Sequence, residues 1–132
     1  MKRVRWLTVS AVEAIHYELI HRYGGVGGLR DAGALDSALA RPKQLNAYRA
    51  SSSVPHLAAA YGWGLLRNHP FIDGNKRIAL ASTLVFLELN GWEWLATEVE
   101  ESAQVLAAAA AEMSESEWIA WVQNSSAKKR QR

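Results

Sequence analysis

The chain has 132 residues, a formal net charge of +2 and 49% hydrophobic residues. This length and composition predict one globular domain with one core and exclude a disordered or membrane protein. The sequence has no cysteine, which excludes disulfides and thiolate metal sites and fits a cytoplasmic protein. The single domain is expected over residues 1–126, with a disordered basic tail at 127–132. This mildly basic charge does not indicate a specific nucleic-acid partner.

The first two predicted helices flank a run of glycines. Ser10 and Glu13 form a capping-box pattern, which opens a helix that ends near Tyr23. The glycines that follow indicate a flexible turn, and a short helix beyond them is predicted to stop before Pro42. Residues 43–53 show only a weak pattern and are interpreted as an exposed loop or flap.

The middle of the chain predicts two more helices joined by a short polar turn. The third helix begins after Ser53, and it ends near Asn68 because Pro70 disfavours helical geometry at the residue before it. The fourth helix spans about residues 75–90, with Gly91 just beyond its end. It is apolar on nearly all sides, which predicts the buried centre of the molecule.

The last third of the chain predicts two surface helices and little β-structure. Thr97 and Glu100 form one capping box, and Ser114 and Glu117 form another. One short extended piece is expected at residues 91–95. The predicted fold class is therefore all-α, a helical bundle around one central buried helix.

One stretch, HPFIDGNKR at residues 69–77, concentrates polar chemistry beside the core. It opens the fourth helix, where unpaired backbone N–H groups and the helix dipole favour an anion such as phosphate. Lys76 and Arg77 lie in the first turn, against the dipole, which indicates a ligand of opposite charge. Gly74 lets N–H groups converge on an oxyanion, and Asn75 is expected to cap the helix and donate from its amide.

The other residues of this stretch are assigned acid–base, metal and structural roles. Asp73 would repel a bound polyphosphate unless Mg²⁺ lay between them, so it is predicted to hold Mg²⁺. Histidine exchanges protons near neutral pH, which suits His69 to take a proton from an incoming hydroxyl. Phe71 is expected to turn inward and anchor the loop. Helix caps and solvated cations are the alternative explanation of each residue taken singly.

At these residues the chain resembles the Fic/Doc superfamily, whose Fic members carry HPFx(D/E)GNGRxxR and whose Doc (death on curing) members carry HxFx(D/N)ANKR. The stretch AIHYELIHRYGGVGGLRDAGALDSALARPKQ also resembles the opening of Doc proteins. The resemblance implies the Fic fold and a toxin kinase that moves the γ-phosphate of ATP to a threonine of elongation factor Tu. It also implies Mg²⁺ as cofactor and a Phd-like antitoxin as partner.

The resemblance assigns a role to each motif residue: base for His69, Mg²⁺ ligand for Asp73, phosphate contacts for Asn75, Lys76 and Arg77, and loop support for Phe71. Two departures from the Fic pattern favour the Doc activity. Lys76 fills space that glycine leaves for a phosphate in Fic adenylyltransferases, and Leu80 stands where they have a second arginine.

Several alternatives stay open beside the kinase. Gly74 and Pro70 are Fic-like, which leaves AMP transfer as the alternative activity. A catalytically silent binding module and a ribonuclease are the alternatives from other classes. The intact histidine, aspartate and asparagine argue against the first, and the lack of a second acid or base near His69 argues against the second. Residues 97–101 match only part of the Fic inhibitory pattern (S/T)xxxE(G/N), and Thr97 is better explained as a cap.

Overall fold

The computed structural model describes residues 3–49 and 52–130. Within them, six helices and two short strands follow in the order α1 (Val9–Tyr23), α2 (Ala32–Tyr48), α3 (Val54–Asn68), α4 (Asn75–Leu89), β1 (Trp92–Trp94), α5 (Glu98–Ala109), α6 (Glu115–Asn124) and β2 (Ser126–Lys128). The predicted all-α class is confirmed. None of these helices has the length and apolar character that crossing a bilayer requires.

Helix α3, rather than α4, is the most deeply buried element. Of its 15 residues 11 are buried, against 7 of 15 in α4, so the prediction that α4 forms the centre is wrong. Two glycines of α3 explain why it is more deeply buried than α4. A Cβ atom on Gly62 would overlap the hydroxyl of Thr83 in α4, and one on Gly64 would lie 3.3 Å from the carbonyl oxygen of Ala38 in α2. Helices α2 and α4 therefore pack closely on α3 from two sides.

The start of α1 differs from the prediction. Thr8, rather than Ser10, is the N-cap residue, and its hydroxyl accepts a hydrogen bond from the N–H of Ala11 at 3.1 Å. Thr8 is extended while Val9 and Ser10 are already helical, so Ser10 cannot serve as the cap. The predicted end of the helix at Tyr23 is confirmed.

Helix α2 continues through Pro42 to Tyr48, so the predicted stop before Pro42 is wrong. The predicted loop at residues 43–53 is wrong as far as Tyr48, and residues 50–51 lie outside the described part. Proline removes one helical hydrogen bond. Pro42 is itself buried, as is Leu39, and packing of this face outweighs the lost bond. Arg41 of the same helix pairs with Glu115 of α6 at 2.5 Å.

The two strands join the end of α4 to the C-terminal segment. Strand β1 pairs with β2 in antiparallel register, Trp92 opposite Lys128 and Trp94 opposite Ser126. This confirms the extended piece at residues 91–95. The N–H of Lys129 donates to the carbonyl of Gly91 at 2.9 Å, so the prediction of a disordered tail is wrong at 127–129. Residues 131 and 132 lie outside the described part.

Candidate active site

The motif loop, residues 69–74, joins the C-terminus of α3 to the N-terminus of α4. As predicted, α3 ends at Asn68, and His69 follows it in the left-handed conformation, with φ 46° and ψ 57°. That conformation costs a non-glycine residue about 1–2 kcal/mol. Arg30 stabilises it: Nε donates to the carbonyl of His69 at 2.6 Å, and Nη2 donates to that of Asn68 at 2.8 Å. The His69 ring is exposed, and nothing in the described ranges hydrogen-bonds to it.

The segment after α1, residues 24–31, runs along the motif loop and is called the glycine segment here. Its backbone binds the loop at two points. The N–H of Arg30 donates to the carbonyl of Pro70 at 2.7 Å, and the N–H of Ile72 donates to the carbonyl of Gly28 at 3.0 Å. The sequence predicted only a flexible turn at these glycines. The hydrogen bonds instead make the glycine segment one wall of the site.

Phe71 turns inward as predicted and is 2% exposed. The side chain of Asn75 holds it from both sides, because Oδ1 accepts from the N–H of Phe71 at 3.0 Å and Nδ2 donates to its carbonyl at 2.9 Å. The N-cap residue of α4 is Gly74, with φ 77°, and no side chain among the described residues caps the helix. The prediction that Asn75 caps α4 is therefore wrong: Asn75 already lies in the first turn, and its amide is directed at Phe71.

The carboxylate of Asp73 bridges the motif loop and the glycine segment. Oδ2 accepts from the N–H of Val26 at 3.1 Å, and Oδ1 accepts from the N–H of Gly74 at 2.8 Å. These two hydrogen bonds lower the pKa of Asp73 below its usual value of 3.8, so the group is ionised at neutral pH. A Cβ atom on Gly25, where φ is +119°, would lie 2.7 Å from Oδ2. Glycine is therefore needed at position 25 for this close approach.

Two cations border the N-terminus of α4. Lys76 is exposed, and Arg77 is half-buried. Nη1 of Arg77 donates to the carbonyl of Gly24 at 2.9 Å, which leaves the other donors of the guanidinium for a ligand. The first turn contains no acidic residue, and neither cation forms a salt bridge within the part of the chain that is described. The dipole, the uncapped N–H groups and the two cations together form a surface that favours an anion.

His16 is a site residue that the sequence did not reveal. Its side chain projects from α1 under the motif loop and is 3% exposed. Nε2 lies 2.7 Å from the carbonyl oxygen of Asp73, and the ring stacks on Phe71 with centroids 3.8 Å apart. His16 is not among the site residues predicted from the sequence. Its position on the buried face with Val12 was the only available signal.

The part of the chain that contains the motif loop matches a known protein family. A model of the Fic/DOC family matches residues 6–87, which extend from before α1 to near the end of α4 and include the whole motif loop. The chain therefore belongs to the Fic/DOC family, and the resemblance inferred from the motif is confirmed.

Two relatives of this chain are named as Doc proteins. The chain is 35% identical to "Protein kinase doc" of Escherichia phage P1 over 88 residues, which are 67% of this chain and 70% of that protein. It is 46% identical to "Toxin Doc" of Mycolicibacterium smegmatis over 72 residues, which are 52% of this chain and 54% of that one. The second match thus spans about half of each protein.

Proposed function

We propose that this chain is a Doc-like toxin that transfers the γ-phosphate of ATP to a threonine or serine hydroxyl of a protein target, with elongation factor Tu as the expected target. Similarity to two Doc proteins, one named a kinase and one a toxin, supports the class. One observation carries the phosphate chemistry: the N-terminus of α4 is uncapped and bears two cations where a structural helix would bear carboxylates.

The chain would act mainly by positioning and by charge, as is general for phosphoryl transfer. Backbone N–H groups in the first turn of α4 would donate to a bound phosphate, and Lys76 and Arg77 would add positive charge. Asn75 has its amide bonded to Phe71, so its contribution to phosphate binding comes from its backbone N–H and from the shape it gives the loop.

Asp73 fits the role of a Mg²⁺ ligand. The carboxylate is ionised, and each oxygen accepts one backbone N–H, which leaves lone pairs for a cation. Among the described residues no three metal-ligating side chains cluster together. One carboxylate together with phosphate oxygens and water is the coordination that Mg²⁺ prefers. When bound, the ion neutralises charge on the phosphates.

We assign His69 the role of general base. Its exposed ring accepts the proton of the target hydroxyl while the hydroxyl oxygen bonds to the γ-phosphorus, and the bond from that phosphorus to the ADP oxygen breaks. The bonds from Arg30 to the neighbouring carbonyls hold His69 where it projects from the end of α3. These bonds fix the backbone of His69, which supports its proposed role.

Transfer of AMP is the second candidate, and two positions bear on it. Leu80 packs against the core one turn beyond the motif, so no cation lies deeper along α4 at that position, which favours γ-phosphate transfer. Gly74, the Fic-like residue, has φ +77°. Glycine adopts this left-handed conformation readily, so its presence does not by itself favour AMP transfer.

A groove beside the two cations supports the expected Phd-like antitoxin as partner. It is lined by apolar side chains of α4 and α5, by the two cations and by two carboxylates of α5: Leu80, Val105, Leu106, Lys76, Arg77, Glu98 and Glu101. A segment bound there would cover Lys76 and Arg77 and block phosphate. The partial inhibitory pattern on α5 has structural roles instead, since Thr97 forms its capping box and Glu101 accepts from the indole N–H of Trp94 at 2.7 Å.

The proposal is tested by incubating purified elongation factor Tu with this protein, Mg²⁺ and ATP labelled on either the γ- or the α-phosphate. We expect label only from the γ-position, and at least about a 100-fold loss of transfer in His69→Asn. Asparagine tolerates the left-handed conformation, so the variant removes the base and keeps the loop. Label from the α-position would establish AMP transfer. No label in this target or in a whole lysate would support the silent module.

A further inference from the structure

We infer that His16 is a positioning residue: its hydrogen bond to the carbonyl of Asp73 orients the Asp73 carboxylate and the N–H groups of the site. The kinetic part of this inference rests on the proposed function. Its structural part does not.

The contact joins two distant parts of the chain. His16 and Asp73 are 57 positions apart, and Nε2 lies 2.7 Å from the carbonyl oxygen. A carbonyl only accepts, so Nε2 carries the hydrogen and donates. The imidazole lies nearly parallel to the ring of Phe71, with 11° between the planes. A buried side chain of α1 thus contacts two residues of the motif loop.

One peptide plane transmits the effect of this bond. The carbonyl of Asp73 and the N–H of Gly74 belong to the same rigid amide. His16 binds the carbonyl, and the N–H donates to Oδ1 of the Asp73 carboxylate at 2.8 Å. Rotation of the plane would remove the donor from Oδ1. The imidazole therefore holds the carboxylate through this amide, while the N–H of Val26 holds the other oxygen.

The alternative role of His16 is to fill space beneath Phe71. Two substitutions separate the roles because each keeps one property. His16→Phe keeps an aromatic ring to stack on Phe71 and removes the donor. His16→Gln removes the ring and keeps an amide N–H near the position of Nε2. Positioning predicts that Gln preserves the site and Phe damages it, whereas a packing role predicts the opposite order.

The first measurement is hydrogen exchange of the Gly74 amide in the two variants, read by NMR and compared with thermal unfolding. We expect faster Gly74 exchange in His16→Phe than in His16→Gln, in excess of any difference in global stability. His21→Phe, an exposed position on the same helix, is the control and should match the wild type. Equal Gly74 protection in the Phe variant and the wild type would overturn the inference.

The second measurement is the Mg²⁺ concentration that gives half-maximal phosphate transfer. Loss of a group that orients a metal ligand weakens metal binding roughly 10–100-fold, so we expect His16→Phe to need about 10-fold more Mg²⁺ than His16→Gln. Unchanged Mg²⁺ dependence in the Phe variant would count against the inference. No transfer by the wild type would instead count against the proposed function, and the exchange result would still decide the role of His16.

Discussion

The N-terminus of α4 is built differently from the N-termini of α5 and α6. Helices α5 and α6 each begin with a complete capping box and have two or three carboxylates in the first turn. Helix α4 begins at a left-handed glycine, has no side-chain cap and bears Lys76 and Arg77 in its first turn. All three termini carry the same dipole.

This difference separates stability from function within one small domain. Caps and acidic first turns stabilise α5 and α6 with local groups. At α4 the corresponding groups are missing, and the carboxylate just before the terminus, that of Asp73, also binds the glycine segment. The terminus of α4 is therefore stabilised from outside the helix, by the glycine segment and α1, and its N–H groups are left for a ligand.

The largest effect, on phosphate transfer, is expected when the first turn of α4 is made acidic like those of α5 and α6. Lys76→Glu places a carboxylate in the first turn, which should raise the free energy of unfolding by about 0.3–1 kcal/mol. The same change replaces a phosphate contact with repulsion and should lower transfer roughly 100-fold or more. Chemical denaturation and the labelled-ATP assay measure the two effects. A variant that is less stable and fully active would contradict the view that the first turn of α4 binds phosphate at the expense of stability.

A smaller effect is expected in the glycine segment. Gly25→Ala puts a Cβ atom where Oδ2 of Asp73 now lies, and the residue has φ +119°. The crowding should destabilise the fold by about 1–3 kcal/mol and also raise the Mg²⁺ requirement for transfer. Gly27→Ala is the matched control, since a Cβ atom there meets nothing within 4 Å. Equal behaviour of the two variants would mean that Asp73 does not need this close approach.

The caps of α5 and α6 should affect stability alone. Ser114→Ala removes the hydroxyl that accepts from the N–H of Glu117 at 3.1 Å, and should cost about 1 kcal/mol. Transfer measured well below the unfolding temperature should stay at the wild-type rate. A large loss of activity in the folded variant would show that the caps and the site are coupled.

The smallest effect is a pH dependence. The pKa of folded Asp73 lies below its usual 3.8, chiefly because of the N–H of Val26. Such a group contributes stability above its unfolded pKa and loses it as the pH falls through the folded value. Between about pH 5 and pH 3 the wild type should therefore lose more stability than Asp73→Asn. If the free energies of unfolding of the two proteins fell equally across this pH range, the lowered pKa of folded Asp73 would be contradicted.

The sequence predicted the features that local signals determine. The capping boxes of α5 and α6, the end of α3 before Pro70 and the motif residues themselves all depend on neighbours within a few positions. The continuation of α2 through Pro42 and the central position of α3 depend on packing between helices. The sequence alone does not show which helices pack together. The same limit explains why Arg30 and His16 were missed: their partners in the motif loop lie 39 and 57 positions away.

The phosphate site at α4 is tested most directly by NMR of the ¹⁵N-labelled protein as Mg²⁺ and ATP are added. We expect the largest amide shifts from Gly74 to Arg77, at the uncapped N-terminus of α4, and little change in the capped first turns of α5 and α6. Saturable shifts of similar size at all three helix termini, or none at α4, would contradict the claim that this terminus is the phosphate site.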